Sequence, residues 1–313
     1  MRHRIGIDEN GLGPRLGPLV VTGVLAELRP GGHEAAERRL RGGRAQRLGD
    51  SKALVAHGDV ALGESWARAL AEAGAIPGGG ASVAALVGGL SLDPTEELRR
   101  PCPRGLEAQC WGEGADAFES DPPLLSAVRS DLRALERSGI RVVAVRSVIV
   151  CTKRLDDALD AGRSRMLVDL HAMERLVLGL RALAGSDVLA VCGKVGGLTK
   201  YTPAFGPLGG RLCTTLREER SHSAYAMPGV GELRFVQDAD GNDRLVELAS
   251  LVGKYLREVL MGRIVSFYRA HDASLPIVSG YHDPKTLQFV DATSARRAEL
   301  GVPQSCFERR KKG

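Results

Sequence analysis

The sequence predicts an α/β fold: a central mixed β-sheet flanked by helices, with one inserted segment. Three observations predict it. Short β-type runs recur along the chain, among them RIGI at 4–7, PLVVTGVL at 18–25 and RVVAVRSVIV at 141–150. Long segments with apolar residues at i, i+3 and i+4 are interleaved with these runs, and such alternation marks a sheet covered by helices. The chain has 313 residues and 43% hydrophobic composition, enough to bury a substantial core.

In chain order, the first two strands are joined by a glycine-rich turn, and residues 30–47 read as loop with a short helix. An alanine-rich helix is expected over 59–73 and a loop over 74–82. Residues 83–123 are irregular and rich in Pro and Gly, and read as an insertion or lid. A helix at 122–138 precedes the β-branched strand at 141–150. Residues 163–184 carry Met166, Leu170, Met173, Val177 and Leu180 on one helical face. DVLAVCG, 187–193, is a short strand ending at glycine, followed by a Gly/Pro loop over 193–210 that leads toward a strand at 232–237. The turn DADGND, 238–243, opens the clearest helix, 244–269, where Leu248, Leu251, Val252, Tyr255 and Val259 keep helical spacing. A final helix is expected near 291–300, and residues 303–313 form a basic tail whose end, RRKKG, reads as disordered. One domain therefore spans 1–302.

Composition excludes several classes. The six cysteines include no C-x-x-C pair, which argues against a zinc ribbon or a thioredoxin motif. No run approaches the length of a membrane span, and the N-terminus carries no apolar segment of signal-peptide length, so a cytoplasmic, membrane-free protein with reduced thiols is expected. The net charge of +5 is compatible with a polyanionic partner. Aromatic residues make up only 4%, so base-stacking platforms are not advertised.

Chemistry concentrates in RIGIDENGLGPRLGPLVV, 4–21. Asp8 and Glu9 stand directly before a turn containing Gly11, Gly13 and Gly17. A dinucleotide fingerprint would need G-x-G-x-x-G opening a helix; here the third glycine comes one residue late, and Pro14 and Pro18 forbid the helix. No Gly-Lys-Ser/Thr follows, so a P-loop is also excluded. Adjacent strand residues face opposite ways, so Asp8 and Glu9 share a ligand only if the strand ends there. Two readings follow: a solvated acidic strand end, or half of a site for a hard divalent cation.

The segment GIDENGLGPRLGPLVV closely resembles the N-terminal signature of the type 2 ribonucleases H (ribonuclease HII and HIII). GDSKAL at 49–54, LHAMERLVLGL at 170–180, VLAVCG at 188–193, DADGNDRLVELASLVGKYLREVLM at 238–261 and SGY at 279–281 resemble the later blocks of that family, in family order. The resemblance implies a ribonuclease H-like fold. It implies cleavage of RNA in RNA–DNA hybrids or at single ribonucleotides embedded in DNA, with two Mg²⁺ or Mn²⁺ ions held by four acids. The first two acids match Asp8 and Glu9, and the fourth matches Asp240, with Asp238 as the alternative register. The third position holds Cys192, so the implied metal ligands are Asp8, Glu9, Cys192 and Asp240, the catalytic acids Asp8, Glu9 and Asp240. A thiol is soft and mostly neutral near pH 7, which would favour Mn²⁺ over Mg²⁺.

The implied substrate contacts are Gly11, Leu12 and Gly13, with Leu12 where the family has arginine, together with Arg15 as a partial replacement, Lys52 on a backbone phosphate and Tyr281 stacking on a sugar. The expected partner is hybrid or ribonucleotide-containing duplex, bound by a monomer. Because of Cys192 and Leu12, a second reading stands beside the nuclease: a catalytically silent relative that binds hybrid or a protein. A third makes Cys192 a redox-sensitive ligand.

Overall fold

A computed structural model describes residues 1–50, 54–55, 58–113 and 116–310. Seven strands form one mixed sheet in the order β3-β2-β1-β4-β7-β6-β5. They are β1 (His3–Asn10), β2 (Leu19–Leu28), β3 (Ile140–Val150), β4 (Val188–Gly193), β5 (Thr214–Glu218), β6 (His222–Met227) and β7 (Gly231–Val236). β1, β2 and β3 pair antiparallel. β1, β4 and β7 run parallel, so three carboxyl ends line up at one end of the sheet. β6 and β5 continue antiparallel from β7. The β5–β6 hairpin lies inside a stretch with no strand expectation, and His222 opens β6.

Helices cover both faces, as the sequence predicts. On one face lies α3 (Arg165–Ala184), whose Leu170, Met173, Leu176, Val177 and Leu180 pack on Ile5, Ile7, Val21 and Leu25. On the other lies α4 (Arg244–Arg269), with α1 (Ala61–Glu72) and α2 (Pro122–Arg137) outside it. Each buried Leu or Val in these layers contributes about 1.5–3 kcal/mol relative to exposure. α4 starts where it does because Asp243 caps it, accepting from the backbone N–H groups of Leu245 (2.9 Å) and Val246 (3.1 Å). The same buried carboxylate pairs with Arg4 of β1, which ties the start of α4 to the first strand.

Residues 83–113 are largely helical and packed. Val83, Leu86, Val87, Leu90, Leu98 and Trp111 all join the core on the α4 face. Of the tail end RRKKG, expected to be disordered, Arg309 and Arg310 pack against the fold, and residues 311–313 lie outside the described residues. A short helix, Gln304–Phe307, buries Phe307, and Arg309 is 2% exposed. Among the described residues, no helix is long and apolar enough to cross a membrane.

Candidate metal-binding cleft and glycine turn

The carboxyl ends of the three parallel strands bound a polar cleft of about 430 Å³. β1 contributes Asp8 and Glu9, β4 contributes Gly193 followed by Lys194, and the segment after β7 contributes Gln237, Asp238, Ala239 and Asp240. Parallel strands conventionally present their ligands at this end, where loops leave the sheet. Asp238 adopts a left-handed conformation (φ 53°), and the short 3₁₀ turn Ala239–Gly241 carries Asp240 into the cleft. Asp238 and Asp240 therefore both line it, and the structure brings either register to the same place.

Asp8 and Glu9 are consecutive strand residues, yet their carboxylates converge. A Cβ on Gly193 would lie 3.3 Å from Asp8 Oδ1 and 3.4 Å from Glu9 Oε2. A side chain at 193 would meet both carboxylates and press on the Asp8 oxygen, whereas glycine leaves that space to them. Asp8 is nearly buried and Glu9 half-buried. Lys194 and Arg220 add positive charge to the lining. Lys194 donates to the carbonyls of Leu198 (2.7 Å) and Glu219 (3.1 Å), and burial lowers its pKa.

Cys192 requires correction as a metal ligand. It is 0% exposed and sits in the apolar cluster with Ile5, Ile7 and Ala190, outside the cleft lining. The reason is strand alternation. Val188, Ala190 and Cys192 face α3, while Leu189 and Val191 pack with Ala239 and Val246, so Gly193 takes the cleft side. Burial pushes the Cys192 thiol up, away from thiolate. The preference for Mn²⁺ that rested on its sulfur falls with it, and so does its reading as a redox-sensitive ligand.

A carboxylate that sequence reasoning missed lies beneath the cleft. Asp169 of α3 is 0% exposed, and neither of its oxygens takes a hydrogen bond among the described residues. Burial, and then the charge of Asp8, raise its pKa well above the usual carboxylate value. Its signal was available as an acid among the apolar residues of a buried helix. Nearby on α3, Glu174 is pushed up to about 7 by burial, although it accepts from the N–H groups of Gly206 (3.0 Å) and Leu208 (2.7 Å).

The glycine turn follows directly from the acids. Gly11 (φ 89°) and Gly17 (φ 81°) are left-handed, which explains glycine at both corners. Leu12 packs against the core on the α3 side, and Gly13 faces open space. Arg15 is engaged by Glu308 in an ion pair. The Tyr281 ring is 42% exposed and stacks over the Arg257 guanidinium, 4.9 Å from it. The Arg257 side chain also lies 2.8 Å from where a Gly11 Cβ would be, so Tyr281 stands beside the turn. Lys52 lies outside the described residues.

Among the described residues, no group of three or more His, Cys, Asp or Glu side chains is arranged to hold a metal ion. The donor chemistry nonetheless fits a hard cation. Mg²⁺ keeps several waters and is commonly bound through one or two carboxylates plus substrate phosphates, rather than by an all-protein cage. The Asp8–Glu9 pair over the bare backbone of Gly193 offers that kind of partial site.

The fold and site together define a mixed α/β protein with an acidic cleft at the ends of its parallel strands. No protein-family model matches the chain, and no curated protein matches it. Among solved structures it is similar to the ribonuclease HII of Archaeoglobus fulgidus, determined in complex with PCNA. Identity there is 17%, covering 99% of this chain and 95% of that one, with a TM-score of 0.41. It is similar to the ribonuclease H2 of Pyrococcus horikoshii OT3 at 13% identity, over 97% of this chain and 92% of that one, TM-score 0.38. It is also similar to Bst-RNase HIII in complex with Mn²⁺ at 13% identity, over 98% of this chain and 66% of that one, TM-score 0.45.

Proposed function

We propose that this chain is a divalent-metal-dependent endonuclease of the ribonuclease H type, cleaving the RNA strand of RNA–DNA hybrid or the embedded ribonucleotide of a DNA duplex. The observation that carries the proposal is the convergence of Asp8 and Glu9 over Gly193, in the cleft that also holds Asp240 and next to the glycine turn. The order of sequence blocks resembling type 2 ribonucleases H supports it.

In this reading Asp8 and Glu9 would hold Mg²⁺ or Mn²⁺, and Asp240 or Asp238, lining the same cleft after β7, would be a further carboxylate for it. Such an ion supplies an activated water and charge stabilisation at the leaving oxygen. Lys194 and Arg220 draw the phosphate backbone toward the acids. The bare backbone at Gly11 and Gly13 lets the turn approach a ribose, whose 2′-hydroxyl separates RNA from DNA. Tyr281, held flat by Arg257, offers a face for a sugar.

The second reading, a binding module without cleavage, is favoured by one observation: the buried thiol at 192 leaves the cleft without a carboxylate from β4. One experiment separates them. A duplex with a single embedded ribonucleotide is incubated with the protein in Mg²⁺ and, separately, Mn²⁺. Cleavage lost in Asp8→Asn and Glu9→Gln supports the nuclease. Binding of the duplex without cleavage in either metal supports the binding module. Neither binding nor cleavage sinks both.

A further inference from the structure

The last described residues do something for the glycine turn that its own sequence does not. Glu308 bridges to Leu16, and the Arg309 N–H donates to the Arg15 carbonyl at 3.0 Å, so the C-terminal segment lies as a strap along the turn. The Arg309 side chain then passes behind it. Its guanidinium donates to the carbonyl of Gly11 at 2.7 Å and to that of Gly17 at 2.9 and 2.7 Å, with a longer contact of 3.4 Å to Leu12. Among the described residues it makes no ion pair, and only 2% of it is exposed.

A buried charge without a carboxylate partner is costly, and backbone carbonyls compensate it only in part. More positive charge lies close by. Burial, and then the charges of the buried Arg165 and Arg257, lower the Arg309 pKa to about 9. Arg165 is spent on the Arg310 carbonyl, and Arg257 on Glu258 and the Ser279 carbonyl. Of the acids around the strap, Glu308 is taken by Arg15 and Asp156 by Arg310. The turn therefore rests on a positively charged base.

Peptide geometry adds a direction. No peptide bond among the described residues is cis, and in a trans unit C=O and N–H point opposite ways. With the Gly11 and Leu12 carbonyls drawn back onto Arg309, the N–H groups of Leu12 and Gly13 point away from it. Successive N–H groups backed by positive charge form an anion seat. A planar fork of donors suits several carbonyls at once in a way that an ammonium does not.

Building on the proposed function, we infer that Arg309 is the positioning residue of this turn: it shapes the backbone for a phosphodiester and supplies from behind the positive charge that Leu12 lacks. The test uses the full chain with Ca²⁺ to hold cleavage off, and compares wild type, Arg309→Met and Arg309→Lys. Affinity for a duplex with one embedded ribonucleotide and for the same duplex in all-DNA form is measured across salt concentrations. Arg309→Met is expected to weaken ribonucleotide-duplex binding about tenfold or more, to flatten its salt dependence and to erode the preference over all-DNA. Arg309→Lys should restore the salt dependence but not the preference, a split that loss of a purely structural contact does not give. A folded Arg309→Met with unchanged affinity and preference overturns the inference.

If Arg309→Met fails to fold, hydrogen exchange on wild type decides. Protection of Leu12 and Gly13 on duplex addition supports the seat, and none overturns it. If wild type binds neither duplex, the functional reading has failed on its own. Exchange in Arg309→Lys then decides the positioning role: acceleration confined to residues 11–17 sustains it, and unchanged exchange there overturns it.

Discussion

Asp8 and Gly193 face each other across the β1–β4 pair, with the Asp8 Oδ1 atom 3.3 Å from where residue 193 would carry a Cβ. That contact is tighter than most side chains make, and Glu9 Oε2 meets the same point at 3.4 Å, the edge of ordinary contact. Gly193→Ala is therefore expected to push the two carboxylates apart while leaving the strand intact. Its φ is not left-handed, so the backbone accepts alanine. Cleavage should fall by about 10²-fold, the scale of loss from small misplacements at a reacting centre, with thermal stability nearly unchanged. Equal loss of both would place the effect in folding instead.

Cys192 gives a second prediction, opposite to what its sequence block suggests. Replacing it with the aspartate expected there puts a charge among Ile5, Ile7 and Ala190. Cys192→Asp should lose several kcal/mol of stability, with no gain in metal affinity by titration calorimetry. Cys192→Ala should cost far less and leave metal binding as it was. A folded Cys192→Asp with tighter metal binding would mean that this strand end can open.

Asp169 sets a pH dependence. Its folded pKa is raised above the unfolded value of about 3.9, so the folded state holds the proton more tightly. Stability from this group is fully present below the unfolded pKa and is lost as pH rises through the folded one. Glu174 and Glu247, both pushed up to about 7 by burial, act in the same direction between roughly pH 4 and 7. Melting temperature should therefore decline across that range. Asp169→Asn should flatten the decline, measured by calorimetry at successive pH values, and an unchanged slope would show that Asp169 is not its source.

The Arg4–Asp243 pair offers a test of how the site is braced. Both partners are buried, and Asp243 also caps α4. Asp243→Ala removes the cap and leaves Arg4 with only the exposed Glu37 as its ion-pair partner, at an expected cost of about 2–4 kcal/mol. Chemical denaturation should show it as a lower midpoint with an unchanged slope. Asp240→Ala, one turn away on the cleft wall, should leave the midpoint nearly where it was.

Much of this architecture is legible in the chain because the central elements are apolar and regular. β1, β2, β3 and α4 stand out by β-branched runs or helical spacing, and the helix expected over 244–269 is Arg244–Arg269. The β5–β6 hairpin is not legible: β5 is a five-residue edge strand, TTLRE, that is largely exposed and shows no alternation. Asp8, Glu9 and Asp240 share the cleft because the parallel strands β1 and β7 end together, a relation that no local pattern encodes. Cys192 misleads because the block resemblance fixes its position along the strand but not what replaces the missing acid. The alternation Val188, Ala190, Cys192 does indicate its face. Arg309 hides in a basic tail, where composition suggests solvent and only the fold supplies the carbonyls it binds.

The strap has a consequence for the order in which the molecule becomes competent. Gly17 and Arg309 are 292 residues apart. The acids and the turn leave the ribosome long before the guanidinium that fixes the turn. A nascent chain can carry every cleft acid and still lack the shaped turn beside them. Contacts of such long sequence separation also form late and slowly in folding. The full constellation thus comes together only in chains extended through Arg309, and a frameshift or premature stop just before it would yield a protein with its acids in place and its turn unbraced.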